Sequence, residues 1–165
     1  MPVRGPRSRR LEPGRLWLAD TVMDRLTENA DRKTPLETGG VLLGYGVNDD
    51  DVVVVDMIGP GPGATHRPNR FEPDTRWQRN QIAEAYERSG RVHRYLGDWH
   101  SHPGGSARPS RRDERTARRI ARHRPTQARR PVMVILSGRD DYWRPTGYRL
   151  LRGKLVEMKL KIPPA

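Results

Sequence analysis

Two histidines separated by one residue, with a serine and an aspartate shortly after them, form the most chemically distinctive pattern in this chain. The stretch is HSHPGGSARPSRRD, in which His100 and His102 precede Ser110 and Asp113. In a strand, residues i and i+2 point to the same face, so the two imidazoles would lie side by side. A short loop after Pro-Gly-Gly could return the Asp113 carboxylate to them. Two nitrogens and one oxygen, with a fourth position open for water, are typical of a catalytic zinc site.

The same residues also have plainer interpretations. Ser110 and Asp113 fit the capping-box pattern, in which both side chains satisfy backbone N–H groups at the start of a helix. An H-x-H pair alone often contains a histidine that is merely exposed or hydrogen-bonded. The conjunction of all the pieces on one predicted strand, turn and helix favours the metal site. Because the chain has no cysteine, any metal must be held by His, Asp or Glu, and a cysteine nucleophile is excluded.

The elements that must position these residues predict an α/β fold, a mixed β-sheet flanked by helices. Short apolar runs predict strands, and apolar residues at helical spacing predict helices. The predicted strands are RLWLAD, ETGGVLLGY, DDDVVVVDMIGP, RYLGDWHSH, PVMVILSG and a terminal hairpin in GYRLLRGKLVEMKLKI; the predicted helices are TVMDRLTENADR, DTRWQRNQIAEAYERSG and SRRDERTARRIARH. The segment GPGPGATHRPNRFEP is expected to be an ordered loop or a flexible flap. We expect one domain over residues 15–165, after a disordered basic tail at 1–14.

The formal charge of +12 comes from 28 arginines and 4 lysines against 20 acidic residues. Nucleic acid is not the expected partner, because the arginines are scattered and aromatic residues are only 6% of the chain, without the interleaving that stacks bases. An acidic protein partner would suit the same charge. No apolar run approaches the roughly 18 residues that cross a bilayer, and MPVRGPRSRR does not resemble a signal peptide. The sequence therefore predicts a cytoplasmic protein without a membrane partner.

The stretch HSHPGGSARPSRRD matches H-x-H-P, six residues, then S-x-x-D, and in this the chain resembles the JAB/MPN metalloenzymes, whose motif is called JAMM. That family also has an upstream glutamate at the start of a strand, and ETGGVLLGY supplies Glu37. The resemblance implies a JAB/MPN core like that of cytidine deaminases, with one Zn²⁺ per chain held by His100, His102 and Asp113. It further implies that Glu37 is the general acid/base and that Ser110 donates to the developing oxyanion.

The resemblance also implies a zinc metalloprotease that cleaves after the C-terminus of a ubiquitin-like protein or a similarly conjugated protein. The segments GPGPGATHRPNRFEPD and YLGDWHSHP are similar to those of small bacterial deconjugating peptidases in anti-phage operons such as CBASS. An E1/E2-like enzyme encoded nearby would then be a further partner. Two alternatives are a JAMM hydrolase that trims a sulfur-carrier precursor or a peptide, and a non-catalytic MPN binding module. The DNA-associated RadC group is disfavoured, because no helix-hairpin-helix region precedes the motif.

Four other polar residues have less definite roles. His66, His93 and His123 lack partners at ligand spacing and are interpreted as surface residues. Asp98 lies two residues before His100, so it either supports a ligand imidazole by a hydrogen bond or is an exposed acid at a strand edge.

Overall fold

A computed structural model describes residues 10–123, 127–139 and 142–164 of the chain. The elements in chain order are β1 (Arg15–Leu18), α1 (Asp20–Lys33), β2 (Gly39–Gly46), β3 (Val52–Ile58), β4 (Thr65–Arg67), β5 (Arg70–Glu72), α2 (Thr75–Arg88), β6 (Arg94–Pro103), α3 (Arg111–Arg122), β7 (Val132–Arg139), β8 (Tyr142–Leu151), β9 (Lys154–Glu157) and β10 (Lys159–Lys161). Across these ranges, no helix is long and apolar enough to cross a membrane.

Eight of the strands form one sheet in the order β10-β1-β3-β2-β6-β7-β8-β9. The pairs β10/β1, β1/β3 and β6/β7 are parallel, and the remaining pairs are antiparallel. The predicted α/β class with a mixed sheet is therefore confirmed. The strand that carries the two motif histidines, β6, lies in the interior of the sheet with a neighbour on each side, so its backbone geometry is fixed along its length.

The two faces of the sheet are covered differently. On one face, α1 packs Val22 and Leu26 onto a core centred on Trp99, which is 1% exposed. On the other face there are two smaller apolar clusters, one including Val41 beneath α2 and one including Met133 beneath α3. Sheet pairing places residue 98 of β6 directly between Val41 and Met133, on their side. The two helices thus leave a groove between them, with β6 as its floor.

Sequence patterns account for the ends of the helices that border this groove. Asp74 caps α2 by accepting a hydrogen bond from the Trp77 backbone N–H at 3.1 Å, as its N-cap pattern predicts. Gly90 follows α2 with a φ of 67°, a conformation that favours glycine. The predicted terminal hairpin is also confirmed, because β8 and β9 are joined through Arg152 and Gly153, both at positive φ.

Two elements differ from the sequence prediction. The Gly/Pro-rich segment contains the β4–β5 hairpin, a separate two-stranded sheet. The end of the predicted terminal hairpin instead leaves β9 at Met158 and forms β10, which pairs with β1 at the opposite edge. Met158 is buried and its N–H bonds the Gly147 carbonyl, so the curled sheet brings its two edges close together. Of the predicted N-terminal tail, residues 1–9 lie outside the described residues.

Candidate metal centre

The two motif histidines lie near the C-terminal end of β6 and face the groove. His100 is paired with Gly39 of β2 on one side and with Ile135 of β7 on the other. A Cβ atom at Gly39 would lie 2.5 Å from the Trp99 carbonyl oxygen and 3.0 Å from the His100 Cβ. Gly39, the first glycine of ETGG, is therefore required for the close approach of β2 to β6. This pairing fixes the strand that follows Glu37 against the strand that carries the imidazoles.

Asp113 reaches the histidines from the first turn of α3. The Asp113 N–H donates to Ser110 Oγ at 3.1 Å, and the Ser110 N–H donates to Asp113 Oδ2 at 2.6 Å, which completes a capping box. The other carboxylate oxygen, Oδ1, lies 3.3 Å from His100 Nε2. The capping and metal-site interpretations are thus compatible, because the two oxygens of one carboxylate have different partners. The Ser110 hydroxyl oxygen accepts the Asp113 N–H in this cap, and its hydroxyl also lies within hydrogen-bond reach of the Asp113 carboxylate.

The three side chains form a group that can bind one metal ion, with all three ligand atoms within 4.8 Å of one another. Ligand atoms about 2.0 to 2.1 Å from a tetrahedral zinc ion are about 3.3 to 3.4 Å apart. His100 Nε2 lies 2.9 Å from His102 Nε2 and 3.3 Å from Asp113 Oδ1, and His102 Nε2 lies 3.8 Å from Asp113 Oδ2. The two separations from His100 lie close to the tetrahedral value, and His102 lies within reach of the same carboxylate, so this donor set fits zinc.

Hydrogen bonding prepares His102 to be a ligand. Its Nδ1 lies 2.7 Å from the Ser106 carbonyl oxygen, which can only accept, so Nδ1 carries the proton and the lone pair of Nε2 faces the cluster. Burial and the neighbouring charge of His100 lower the pKa of His102, against smaller raising effects from Ser106 and Asp113. The neutral imidazole, which is the form that binds metals, is therefore favoured at neutral pH.

The Asp113 carboxyl is also held in its metal-binding form. Burial raises the pKa of Asp113, but the hydrogen bond and charge of His100, together with the hydrogen bonds of Ser110, outweigh burial and hold the pKa at about 2. Asp113 is therefore a carboxylate at neutral pH. Because its side chain is 12% exposed, water competes weakly for its oxygens.

Glu37 lies across the strand pair from His102, two residues before the Gly39–His100 pair. The residues between them are joined by bonds from the Ser101 N–H to the Thr38 carbonyl at 2.9 Å and from the Thr38 N–H to Ser101 Oγ at 3.0 Å. The Glu37 side chain lines the same groove as the histidines. Burial and the Asp113 charge raise the pKa of Glu37, while His100 partly opposes them. The Glu37 carboxyl thus shares the groove with the metal-binding group and is affected by its charges.

His66 is a residue of this site that the sequence analysis missed. It is half-buried on β4, where its Nδ1 lies 2.9 Å from the Glu37 carbonyl oxygen. The Glu37 N–H donates to the Arg67 carbonyl at 2.8 Å, so β4 holds both backbone groups of Glu37. The interpretation of His66 as a surface residue was wrong, because its contact is to a residue 29 positions away and leaves no local pattern. The hairpin thereby anchors Glu37.

Asp98 is not an exposed acid at a strand edge, because β6 is an interior strand. A bulge in the β2–β6 pairing near Gly97 brings Tyr95 onto the same face as Asp98. The Tyr95 hydroxyl donates to Asp98 Oδ1 at 2.7 Å, and burial raises the pKa of Asp98. Asp98 therefore lies in the floor of the groove, two residues along the strand from His100.

Sequence comparisons identify related proteins. A family model described as prokaryotic homologs of the JAB domain matches residues 19–149. The probable metalloprotease y4qB of Sinorhizobium fredii (strain NBRC 101917 / NGR234) is 38% identical over 134 residues, which cover 81% of this chain and 82% of the relative. The Vibrio cholerae serotype O1 protein named CD-NTase/cGAS isopeptidase is 32% identical over 107 residues, or 65% of each chain.

A second CD-NTase/cGAS isopeptidase, from Enterobacter hormaechei subsp. hoffmannii, is 36% identical over 103 residues. Those residues cover 62% of this chain and 56% of the relative, so the match spans less than two thirds of either isopeptidase. Among solved structures, the solution structure of protein DSY2949 from Desulfitobacterium hafniense superposes with a TM-score of 0.70 at 22% identity. The superposition covers 91% of this chain and 94% of that one, and it establishes the likeness of the fold.

Proposed function

Because the chain belongs to the family of prokaryotic homologs of the JAB domain, we propose that it is a zinc-dependent peptidase that cleaves isopeptide or peptide bonds. The observation that carries the proposal is the convergence of His100, His102 and Asp113 on one ion-sized position, with the Glu37 carboxyl on the same groove. Three protein ligands leave one position of a tetrahedral ion open, which is the arrangement of catalytic rather than structural zinc sites. The sulfur-free donor set of two imidazoles and a carboxylate suits the same ion.

Each side chain has a distinct proposed role. When bound, zinc supplies Lewis-acid polarisation of a water molecule and of the scissile carbonyl. Glu37 accepts a proton from the attacking water and later delivers it to the leaving amine, and its raised pKa brings it closer to neutral pH, where such an exchange is efficient. The Ser110 hydroxyl lines the groove beside Asp113, and its proposed role is to donate to the oxyanion that develops on the carbonyl.

The proposed substrate is a ubiquitin-like protein, or a protein conjugated in the same way, cleaved after its C-terminus. Two relatives are named isopeptidases, and an isopeptide bond joins a carboxyl group to a lysine ε-amine. The chemistry at the carbonyl is the same for an ε-amine and an α-amine leaving group. The site therefore serves either bond, and an extended donor tail in the groove would fit both. An E1/E2-like enzyme that forms the conjugate is the further proposed partner.

The proposal can be tested with two peptide libraries that share the same randomised donor segment. In one library the donor C-terminus is joined to the ε-amine of lysine, and in the other it is joined to the α-amine. We expect cleavage of the ε-linked library that a chelator stops and added zinc restores, with products identified by mass spectrometry. Selective cleavage of the α-linked library would instead indicate trimming of linear precursors. If the zinc-loaded protein cleaves neither, a non-catalytic binding module is the better description.

The contact between His66 and Glu37 predicts a specific pattern among His66 variants. His66→Ala removes the hydrogen-bond donor to the Glu37 carbonyl, a loss of about 1 to 1.5 kcal/mol that corresponds to roughly tenfold in kcat. His66→Asn is expected to recover most of the rate, because its amide nitrogen stands about where Nδ1 does. KM and zinc content are expected to change little in both variants. Equal rates for the Ala and Asn variants would show that the hydrogen bond to the Glu37 carbonyl does not contribute to the rate.

A further inference from the structure

The groove between α2 and α3 has an unusual concentration of positive charge. It is about 1980 Å³ in volume and runs along β6 from His100 to Arg94. Eight exposed arginines line it, and five of those on the two helices are here called the groove arginines: Arg79 on α2, and Arg112, Arg115, Arg119 and Arg122 on α3. The acidic residues that line the groove are Glu37, Asp98 and Asp113. These three belong to the floor and to the metal centre, so the charged residues of the walls are all cationic.

Two of the groove arginines are electrostatically coupled to acids in the floor, Arg112 to Glu37 and Arg119 to Asp98, but these are not salt-bridge contacts. Salt bridges are made by Arg25, Arg32, Arg70, Arg91 and Arg130. Within residues 10–123, 127–139 and 142–164, none of the groove arginines makes one. Like charges that outnumber the acids of a cleft concentrate a positive potential in it. Such a cleft attracts an anionic ligand and would be stabilised by one.

The spacing of the α3 arginines fits an extended polypeptide. Arg112 and Arg122 are ten residues apart, which is about 15 Å along a helix and the length of about five residues of extended chain. Arg115 and Arg119 are separated by about 6 Å along the helix axis. Side chains on one face of an extended chain recur about every 6.6 Å. Carboxylates at alternate positions of an extended chain would therefore match Arg115 and Arg119, and Arg112 and Arg122 lie about 4.5 Å further along the axis at either end.

The other groups in the groove favour a polypeptide over a nucleic acid. Single-stranded nucleic acids are held largely by bases that stack on free aromatic faces. Here the Arg94 guanidinium lies 5.9 Å from the centre of the Tyr86 ring, Phe71 pairs with His66, and Tyr95 packs against a buried cluster. Tyr45, which is 38% exposed, is the more open aromatic ring of the groove among the described residues, and a single ring does not form a stacking row. The carboxyl groups of Asp98 and Glu37 in the floor would also lie close to a regularly charged phosphate backbone. An acidic peptide can instead place uncharged residues over them.

We propose that the groove arginines bind an acidic, extended segment of the polypeptide substrate beside the scissile bond. This inference rests on the proposed peptidase function, because only then does the groove lead to a scissile bond at the metal centre. Binding of the acidic segment itself needs no hydrolysis. It assigns to the arginines of α3 the selection of substrates that carry several carboxylates near the cleaved bond. It also gives part of the +12 charge of the chain a defined location and use.

The test is fluorescence anisotropy of the zinc-supplemented protein with a labelled peptide of alternating glutamate and glycine. A lysine-glycine peptide and an oligothymidine of equal length are the comparison ligands. We expect the glutamate peptide to bind most tightly. Its affinity should fall as ionic strength rises from about 0.01 M to about 0.15 M, because the Debye length then falls from about 30 to about 8 Å. Equal binding of the lysine peptide, no binding of the glutamate peptide, or tighter binding of the oligothymidine would overturn the proposal.

The matched variants are Arg115→Gln/Arg119→Gln in the groove and Arg32→Gln/Arg88→Gln outside it, which remove the same charge from exposed helical positions. The double variant in the groove is expected to lower the affinity for the glutamate peptide roughly tenfold at low salt. The double variant outside the groove is expected to lower it by less than about twofold. Equal effects of the two pairs would overturn the proposal. Zinc uptake by the same samples separates the two hypotheses. Zinc uptake with no preference for acidic peptides refutes the groove alone, whereas acidic-peptide binding without zinc uptake refutes the peptidase alone.

Discussion

Replacing Glu37 with glutamine is expected to lower the rate of amide hydrolysis by a factor of about 10² to 10⁴, the usual worth of a positioned general acid/base. Glutamine keeps the length of the side chain and the backbone contacts with β4, but it cannot accept the proton of the attacking water. Glu37 is not one of the three clustered ligands, so zinc content and the thermal midpoint of unfolding should stay at their wild-type values. The rate loss would then belong to the chemical step.

The measurement is single-turnover cleavage of the ε-linked peptide together with zinc per chain on the same preparation. Glu84→Gln is a matched control, because Glu84 is exposed on α2 and does not line the groove. A Glu37→Gln protein that cleaves at the wild-type rate would remove Glu37 from the mechanism. A variant that loses zinc together with activity would make Glu37 a ligand instead.

Replacing His102 with alanine is expected to reduce zinc from about one ion per chain to less than about a tenth, and to abolish hydrolysis with it. The variant deletes the nitrogen that faces both His100 and Asp113, leaving two of the three protein ligands. Added zinc should raise the thermal midpoint of the wild type, since an ion that binds only the folded state stabilises it, and should leave the variant unchanged. His102 is partly exposed, so the fold itself is expected to persist.

Metal analysis after dialysis and thermal unfolding with and without zinc provide the readouts. His93→Ala is the control, because His93 precedes the same strand but lies outside the metal-binding group. A His102→Ala protein that retains about one tightly bound zinc would move the ion away from this cluster. In that case the proposed chemistry at this end of the groove would have to be abandoned.

Local sequence rules predicted the metal-binding group because each of its parts is local. The alternation of a strand aims His100 and His102 to one side, and the capping box of α3 fixes Asp113 one turn into the helix. The same kind of rule predicted the start of α2 at Asp74. The mixed sheet followed from the order of apolar runs. What a few consecutive residues determine by themselves was therefore accessible from the sequence.

The features that the sequence did not predict depend on distant contacts. His66 contacts Glu37 across 29 positions, and β10 pairs with β1 from the other end of the described chain. Because β4 and β10 are only three residues long, neither has a hydrophobic pattern from which its pairing partner could be predicted. The accumulation of arginines on the walls of one groove is likewise invisible in composition, where they are mixed with the other arginines. Such features emerge only when the sheet order is known.

Because the Asp113 carboxylate also caps α3, loss of Asp113 would destabilise the protein in a way that loss of either histidine would not. Oδ1 lies beside His100, while Oδ2 accepts the Ser110 N–H that completes the start of α3. A lineage that loses either histidine gives up the ion but keeps a capped helix and its folded domain. A lineage that loses Asp113 gives up about 1 kcal/mol of helix capping as well. Descent toward a non-catalytic, partner-binding domain would thus begin at the histidines, with Asp113 retained for structural reasons long after catalysis had ended.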